Sequence, residues 1–270
     1  MKVGIVGTGN MGSHYVRKFD ILGYEAVLID KDAERLKKFS DKFKKYTDFE
    51  EALKNEQIDF LFIATDPNSH IPLAKKALER DINVMVEKPP SLNPSQLEET
   101  IKFAEKRNIY FGVSEIELRS NSIRNLKKNK HIEKVEAYRL NLKSGYINPF
   151  YDLAWHDLYI FEYLFGNVKI EKVVDKGNVF EILGKTKENN FFLKVAWNNP
   201  YIRREWILKG KEGDTVLDLV KDRIIYPDGK IKENDNIDKL ELMIKDFIQN
   251  PSFDSAYRAL NILKEFKKFS

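Results

Sequence analysis

A strand that runs into a glycine-rich turn and then a helix, all within residues 3 to 21, constrains the fold of this chain more than any other feature. The apolar run Val3-Gly4-Ile5-Val6 leads directly into Gly7-Thr8-Gly9-Asn10-Met11-Gly12, and Ser13 to Ile21 carries apolar residues at helical spacing. In that context Gly7 permits a tight turn, Gly9 lets backbone approach a pyrophosphate, and Gly12 permits close helix–sheet packing. The helix N-terminus adds free N–H groups and the positive end of its dipole. A lone Gly-x-Gly-x-x-Gly is a weak signal, but flanked by a strand, a helix and a second apolar strand it reads as a dinucleotide fingerprint. The second strand, Ala26 to Ile29, ends at Asp30, 18 residues beyond Gly12. A carboxylate there suits the two ribose hydroxyls of NAD and repels the 2′-phosphate of NADP. Lys31 offsets part of that repulsion, so NAD is the expected cofactor and NADP the second candidate. The plainer reading, in which the glycines only turn the chain and Asp30 caps the next helix, requires all these features to coincide by chance.

Short apolar runs recur at Phe60-Leu61-Phe62-Ile63, Val84-Met85-Val86 and Tyr110-Phe111-Gly112-Val113, the texture of strands buried on both faces. Helical patterns lie at 11–22, 32–44, 48–54, 70–79 and 94–107, the last opened by Asn93-Pro94. Such alternation predicts an α/β fold, a doubly wound parallel sheet with right-handed crossovers, which is a Rossmann domain over residues 1–113. Beyond it, helical patterns at 120–128 and 152–165 are followed by strand candidates at 132–143, 168–174, 177–184, 190–197, 203–209, 214–220 and 223–226. Strands in succession without helices between them predict an α+β domain with a largely antiparallel open sheet over residues 114–270, closed by helices at 236–249 and 254–268. At roughly 150 residues per domain, 270 residues leave room for one large or two modest domains.

Composition narrows the function classes. Charge is balanced, 46 basic against 42 acidic residues with no dominant block, so nucleic acid is not an expected partner. The absence of cysteine excludes thiol catalysis, disulfides and thiolate metal sites, and a reducing compartment, the cytoplasm, is the expected location. No 18 apolar residues run together and Met1 to Gly7 lacks a signal-peptide core, so no membrane partner is expected. No His, Asp and Glu spacing suggests a metal site, and hydride transfer needs none.

After the strand Ile82 to Val86 comes Glu87-Lys88-Pro89-Pro90, at the carboxyl edge where ligands of open α/β sheets bind. A Lys at that rim can hydrogen-bond a substrate hydroxyl and stabilise developing alkoxide charge, although Lys near a strand end is more often solvated surface. The glycine loop, Ala64-Thr65-Asp66-Pro67-Asn68-Ser69-His70 and Glu87-Lys88-Pro89 together resemble the glucose-fructose oxidoreductase / inositol dehydrogenase / rhizopine catabolism family. The resemblance extends to Asp152-Leu153-Ala154-Trp155-His156-Asp157, which is similar to the family's Asp-x-x-x-His element and looks most like that of nucleotide-sugar 3-dehydrogenases, such as those acting on UDP-N-acetylglucosamine. Asp152 and His156, four apart at a helix start, project from one face. The resemblance implies a catalytic trio: His156 as base, Lys88 positioning and polarising the reacting oxygen, Asp152 holding substrate or imidazole. It further implies cofactor contacts from Gly7, Thr8, Gly9, Asn10, Met11, Gly12, Asp30, Lys31, Thr65, Asp66, His70, Glu87 and Lys88. The activity so implied is NAD-dependent hydride transfer at a secondary hydroxyl of a sugar, polyol or nucleotide sugar, in a homodimer or homotetramer. A redox-neutral enzyme that recycles its hydride and a non-catalytic dinucleotide sensor are the alternatives.

The chain departs from the family's usual pattern at Thr65-Asp66-Pro67, where Pro commonly follows Thr directly, and at Arg119-Ser120-Asn121-Ser122, where Arg119 is only a weak substrate-contact candidate. His14 and His131 carry no partner signal, Arg124 to Lys130 reads as a solvated basic face, and Tyr146, Phe150, Tyr151 and Trp155 read equally as sugar-stacking or core aromatics.

Overall fold

The computed structural model describes residues 1–126, 132–145 and 147–269. These form two compact units, one of Met1–Ser114 with Leu240–Leu260, the other of Glu115–Lys239 with Asn261–Ser270. The first unit thus takes in Leu240–Leu260 together with Met1–Ser114.

The first unit is a six-stranded parallel sheet: β1 (Lys2–Val6), β2 (Glu25–Ile29), β3 (Lys44–Tyr46), β4 (Phe60–Ile63), β5 (Asn83–Val86) and β6 (Phe111–Val113), in the order β3-β2-β1-β4-β5-β6. Helices α1 (Asn10–Ile21), α2 (Ala33–Leu36), α3 (Phe49–Asn55), α4 (Pro67–Leu78) and α5 (Pro94–Arg107) connect them. Order reverses between β1 and β4, the switch point where the loops after these strands diverge and leave a crevice. The helix expected over 32–44 is only the single turn α2, after which the chain turns and adds β3 as an edge strand. Asp32 and Asp48 cap α2 and α3 by accepting Glu34 and Glu51 N–H. Asn93 caps α5 from the position that the sequence indicates. At the core, Phe62 is fully buried between Tyr15 and Phe19 of α1 and Phe247. Phe247 belongs to α8 (Lys239–Gln249), which explains why that helix groups with the first unit.

The second unit is built on an eight-stranded sheet of β7 (Ile132–Leu140), β8 (Lys169–Asp175), β9 (Val179–Lys185), β10 (Asn190–Ala196), β11 (Arg203–Gly210), β12 (Thr215–Asp218), β13 (Arg223–Ile225) and β14 (Ile231–Lys232). Its order is β14-β13-β12-β11-β7-β10-β9-β8, antiparallel throughout except between β7 and β10. The short α6 (Asn121–Arg124) precedes β7; the helix expected over 120–128 ends at Arg124, since Asn125 and Leu126 are not helical, and residues 127–130, His131 and Tyr146 lie outside the described residues. Helix α7 (Pro149–Phe165) covers one sheet face, where Phe161 stacks on Phe191 of β10 and Trp206 of β11 with ring centroids 4.4 and 4.2 Å apart. The opposite face carries Tyr138, Phe192 and Ile207, half-exposed, and exposed Leu183. The last helix is α9 (Asp254–Phe266). Among the described residues no helix is long and apolar enough to cross a membrane.

Candidate active site

The glycine loop has the geometry that its sequence requires. Gly7 takes a positive φ of 85°, and a Cβ there would lie 2.8 Å from the Ala64 carbonyl oxygen. At Gly12 a Cβ would fall 1.8 Å from the Gly7 carbonyl oxygen, so any side chain would drive α1 off the loop. Gly9 differs: a Cβ there would meet only the Arg35 guanidinium, at 3.7 Å. The protein alone therefore does not demand glycine at position 9, and the space above it is what a pyrophosphate would fill. Gly9 is also the N-cap of α1 and places no side chain on the first-turn N–H groups of Asn10, Met11 and Gly12, leaving them to an anion. Ser13 turns its hydroxyl back to the Gly9 and Thr8 carbonyls, at 2.6 and 3.0 Å.

Asp30 follows β2 and is buried. Its carboxylate accepts the Thr8 N–H and hydroxyl at 2.7 and 2.9 Å and the Asp32 N–H at 3.0 Å. Burial pushes the carboxyl up, but the donors from Asp32 and Thr8 outweigh it and hold the group below the ordinary carboxylate range, so it is ionised at neutral pH. The cap of α2 is Asp32, not Asp30. Asp30 thus staples the glycine loop to β2, and Thr8 spends its side chain on that staple. A cavity of about 540 Å³ opens beside it, lined by Gly7, Asp30, Lys31, Arg35, Thr65 and Asp66 among others. Arg35, half-exposed and 3.8 Å from the Asp30 carboxylate, is a cavity residue that sequence reasoning missed; its signal was its place one turn beyond Lys31. These residues fit the adenosine and pyrophosphate portion of a dinucleotide.

Thr65 and Asp66 form the loop from β4 to α4. Asp66 caps that helix by accepting Asn68 N–H, and Ser69 donates to it; the Ser69 hydroxyl and, against burial, the Asn68 N–H hold its carboxyl low. His70, named above as a cofactor contact, is 1% exposed, and its ring nitrogens face the carbonyl oxygens of Pro89 at 3.0 Å and Thr65 at 3.1 Å. It lies beneath the two loops and holds them together. A neutral imidazole donates to only one of those carbonyls, and both favour the charged ring, yet burial prevails and pushes its pKa below the ordinary value.

Glu87 and Lys88 leave β5 on the same carboxyl edge. The Glu87 side chain turns inward, accepting the Tyr15 hydroxyl at 2.6 Å, and burial pushes its carboxyl up. Burial and the Glu87 charge likewise keep the Tyr15 phenol protonated. Lys88 is half-exposed at the rim, and its bond to Pro89 is cis.

In the second unit, Asn148 caps α7 by accepting Phe150 N–H and Pro149 occupies its first turn, so Asp152 is not the cap that a helix-start Asp most often is. From Asp152 to Phe161 only Asp152 and His156 are half-exposed; the intervening and following residues are buried. The two share one face of α7. His156 Nδ1 lies 3.2 Å from the Tyr159 hydroxyl. Asp157, next in the motif, points into the core, where it accepts from Arg139 at 2.7 and 3.3 Å and from the Trp206 indole at 2.8 Å. Phe150, Tyr151 and Trp155 pack on Phe266 and serve the core. Arg119 ends a 3-10 turn, Ile116–Arg119.

Residues 1–115 match the family described as "Oxidoreductase family, NAD-binding Rossmann fold". Among curated relatives, glycosyl hydrolase family 109 protein 5 of Phocaeicola vulgatus is 34% identical over 119 residues, which is 39% of this chain and 23% of that protein. UDP-N-acetylglucosamine 3-dehydrogenase of Acidithiobacillus ferrooxidans is 23% identical over 164 residues, 58% of this chain and 52% of that protein. The matched stretches thus span about half or less of these relatives. A solved structure of UDP-N-acetylglucosamine 3-dehydrogenase from A. ferrooxidans shares the fold over 99% of this chain and 96% of its own, with a TM-score of 0.88 and 18% identity. The stretch that resembles this family is the one that carries the glycine cradle, Asp30 and Lys88.

Proposed function

We propose that this protein is an NAD-dependent dehydrogenase that moves a hydride between nicotinamide and a secondary hydroxyl of a sugar, polyol or nucleotide-linked sugar. The observation that carries this reading is the glycine cradle, with its uncapped helix N-terminus and ionised Asp30, standing on the same strand edge as Lys88. When bound, the nicotinamide supplies the two-electron acceptor or donor. The chain itself binds and orients: first-turn N–H groups of α1 hold the pyrophosphate and Asp30 addresses the ribose. Thr65 and Asp66 line the same cavity. Lys88 hydrogen-bonds the reacting oxygen and favours its alkoxide character, His156 exchanges the hydroxyl proton, and Asp152 holds substrate or imidazole. The name of the A. ferrooxidans relative favours a nucleotide-linked sugar among the substrate classes. The broad face of the second sheet, where half-exposed Tyr138, Phe192 and Ile207 stand among ion pairs, supports a homodimer or homotetramer, which light scattering would test, and a cysteine-free chain suits the cytoplasm.

A second reading is favoured by the relative named as a glycosyl hydrolase: a redox-neutral enzyme that keeps its cofactor and returns the hydride to the same substrate. Absorbance at 340 nm with NAD or NADP against free sugars, polyols and UDP-linked sugars separates the two. Reduced cofactor appearing with one class supports the dehydrogenase; silence with NAD bound supports the second reading or a sensor. Lys88→Ala should lower turnover by about a hundredfold with NAD affinity retained, and unchanged turnover would remove Lys88 from the mechanism.

A further inference from the structure

Tyr159 lies one helical turn beyond His156 on α7 and is 1% exposed. Its hydroxyl oxygen accepts the main-chain N–H of Glu117 at 3.1 Å and lies 3.2 Å from His156 Nδ1. The rings meet edge to face, centroids 5.8 Å apart. Burial and the Glu117 carboxylate keep the phenol protonated. That carboxylate is itself taken up by Ser120 and Lys239. Among the described residues, the acceptor in reach of the Tyr159 proton is therefore the Nδ1 lone pair of His156. A buried hydroxyl turned away from its acceptor would be left unsatisfied, which is costly.

We propose that Tyr159 is the positioning residue of His156, and that by donating to Nδ1 it holds the neutral imidazole in the tautomer whose proton is on Nε2. The inference rests on the reading of His156 as a residue that addresses the substrate oxygen, and it changes what that residue offers. The resemblance makes His156 a base; in this tautomer Nε2 instead donates to the substrate oxygen and steadies negative charge there, so the hydroxyl proton leaves to water and the base role given to His156 above is replaced. The Glu117 N–H completes the chain of donors, and because it is a main-chain group no replacement at 117 other than proline removes it.

The test needs no substrate. With four His in the chain, long-range proton–nitrogen NMR of uniformly nitrogen-15-labelled protein at pH 8 gives few imidazole patterns, and loss of one in His156→Gln assigns it. The expected pattern is a protonated Nε2 with a bare, hydrogen-bonded Nδ1; a protonated Nδ1 would overturn the proposal. Tyr159→Phe, accepted only if its tryptophan fluorescence and melting show a folded second unit, should convert the pattern to a mixture of tautomers and lower kcat about tenfold with NAD affinity unchanged. An unshifted pattern in that variant would also overturn it. If the Nε2–H pattern is found in a protein that reduces no cofactor, the lock stands and the dehydrogenase reading fails. A protonated Nδ1 in an active enzyme gives the reverse.

Discussion

The most exacting test of the second unit is Asp157→Asn. Asp157 is fully buried and both its oxygens are committed, Oδ2 to Arg139 Nε, Oδ1 to Arg139 Nη2 and the Trp206 indole. An Asn of the same volume leaves no cavity, yet its NH2 must face Arg139 or Trp206, both donors, and the charge that balances a buried guanidinium is gone. Breaking a buried pair in this way costs about 3–5 kcal/mol. Glu117, 3.9 Å from Arg139, compensates part of the charge, which places the cost near the lower end, about 3 kcal/mol. For a unit of this size about 3–4 °C accompanies each kcal/mol, so the melting point should fall by about 10 °C. The chain's three tryptophans, Trp155, Trp197 and Trp206, all lie in the second unit, so their fluorescence reports its melting alone. Replacing both partners, Arg139→Met with Asp157→Leu, removes the stranded charge and leaves only the Trp206 N–H unpaired, so it should recover more than half of the loss. A shift under 2 °C for Asp157→Asn, or a double variant less stable than the single, would refute the reasoning.

Gly12→Ala places a methyl 1.8 Å from the Gly7 carbonyl oxygen; it should cost about 1–3 kcal/mol in urea unfolding and weaken NAD at least about tenfold by calorimetry, and wild-type affinity would show that the loop does not hold the cofactor. Lys31 and Arg35 line the cavity with ionised Asp30. Replacing both cations by Ala should weaken NADP at least about tenfold while NAD changes little, and equal losses would show that the cations serve both cofactors alike. His70 is held neutral by burial, below its ordinary value of 6.5. The folded state therefore binds fewer protons than the unfolded one, so His70's share of stability is intact above about pH 6.5 and declines as pH falls through the lowered folded value. Urea midpoints measured from pH 7.5 to 5 should fall less steeply in His70→Gln than in wild type, and parallel curves would contradict this.

The readable parts of the fold are those whose signal is local. Gly7 and Gly12 announce a turn because a side chain at either would clash, and β1, β2, β4 and β5 announce themselves because burial on both faces leaves no polar position after their first residues. β3 fails that test. As an edge strand, Lys44-Lys45-Tyr46 carries no apolar run, and the polar residues after Leu36 sustained a helical pattern that in three dimensions stops after one turn. Amphipathic α8 was legible as a helix, but the Phe60 and Phe62 rings that receive Phe247 lie far back in the chain, so its allegiance to the first unit was not.

The site divides along the same line. Asp30, Lys88, Asp152 and His156 stand out as candidates because chemistry and spacing coincide, but what their neighbours in the motifs touch is decided by contacts from distant positions. Glu87 and Tyr15 are 72 residues apart, His70 and Pro89 are 19, Asp157 and Arg139 are 18. In each pair the residue next to, or holding, an expected catalytic or binding group is buried against a polar partner rather than aimed outward. Such placement exacts a desolvation cost and leaves the exposed member of each motif, Lys88 beside Glu87 and His156 beside Asp157, on backbone whose neighbours are fixed. In these motifs a residue expected to meet a ligand stands beside one that holds the fold still, and the contacts made by Glu87 and Asp157 tell the second kind from the first.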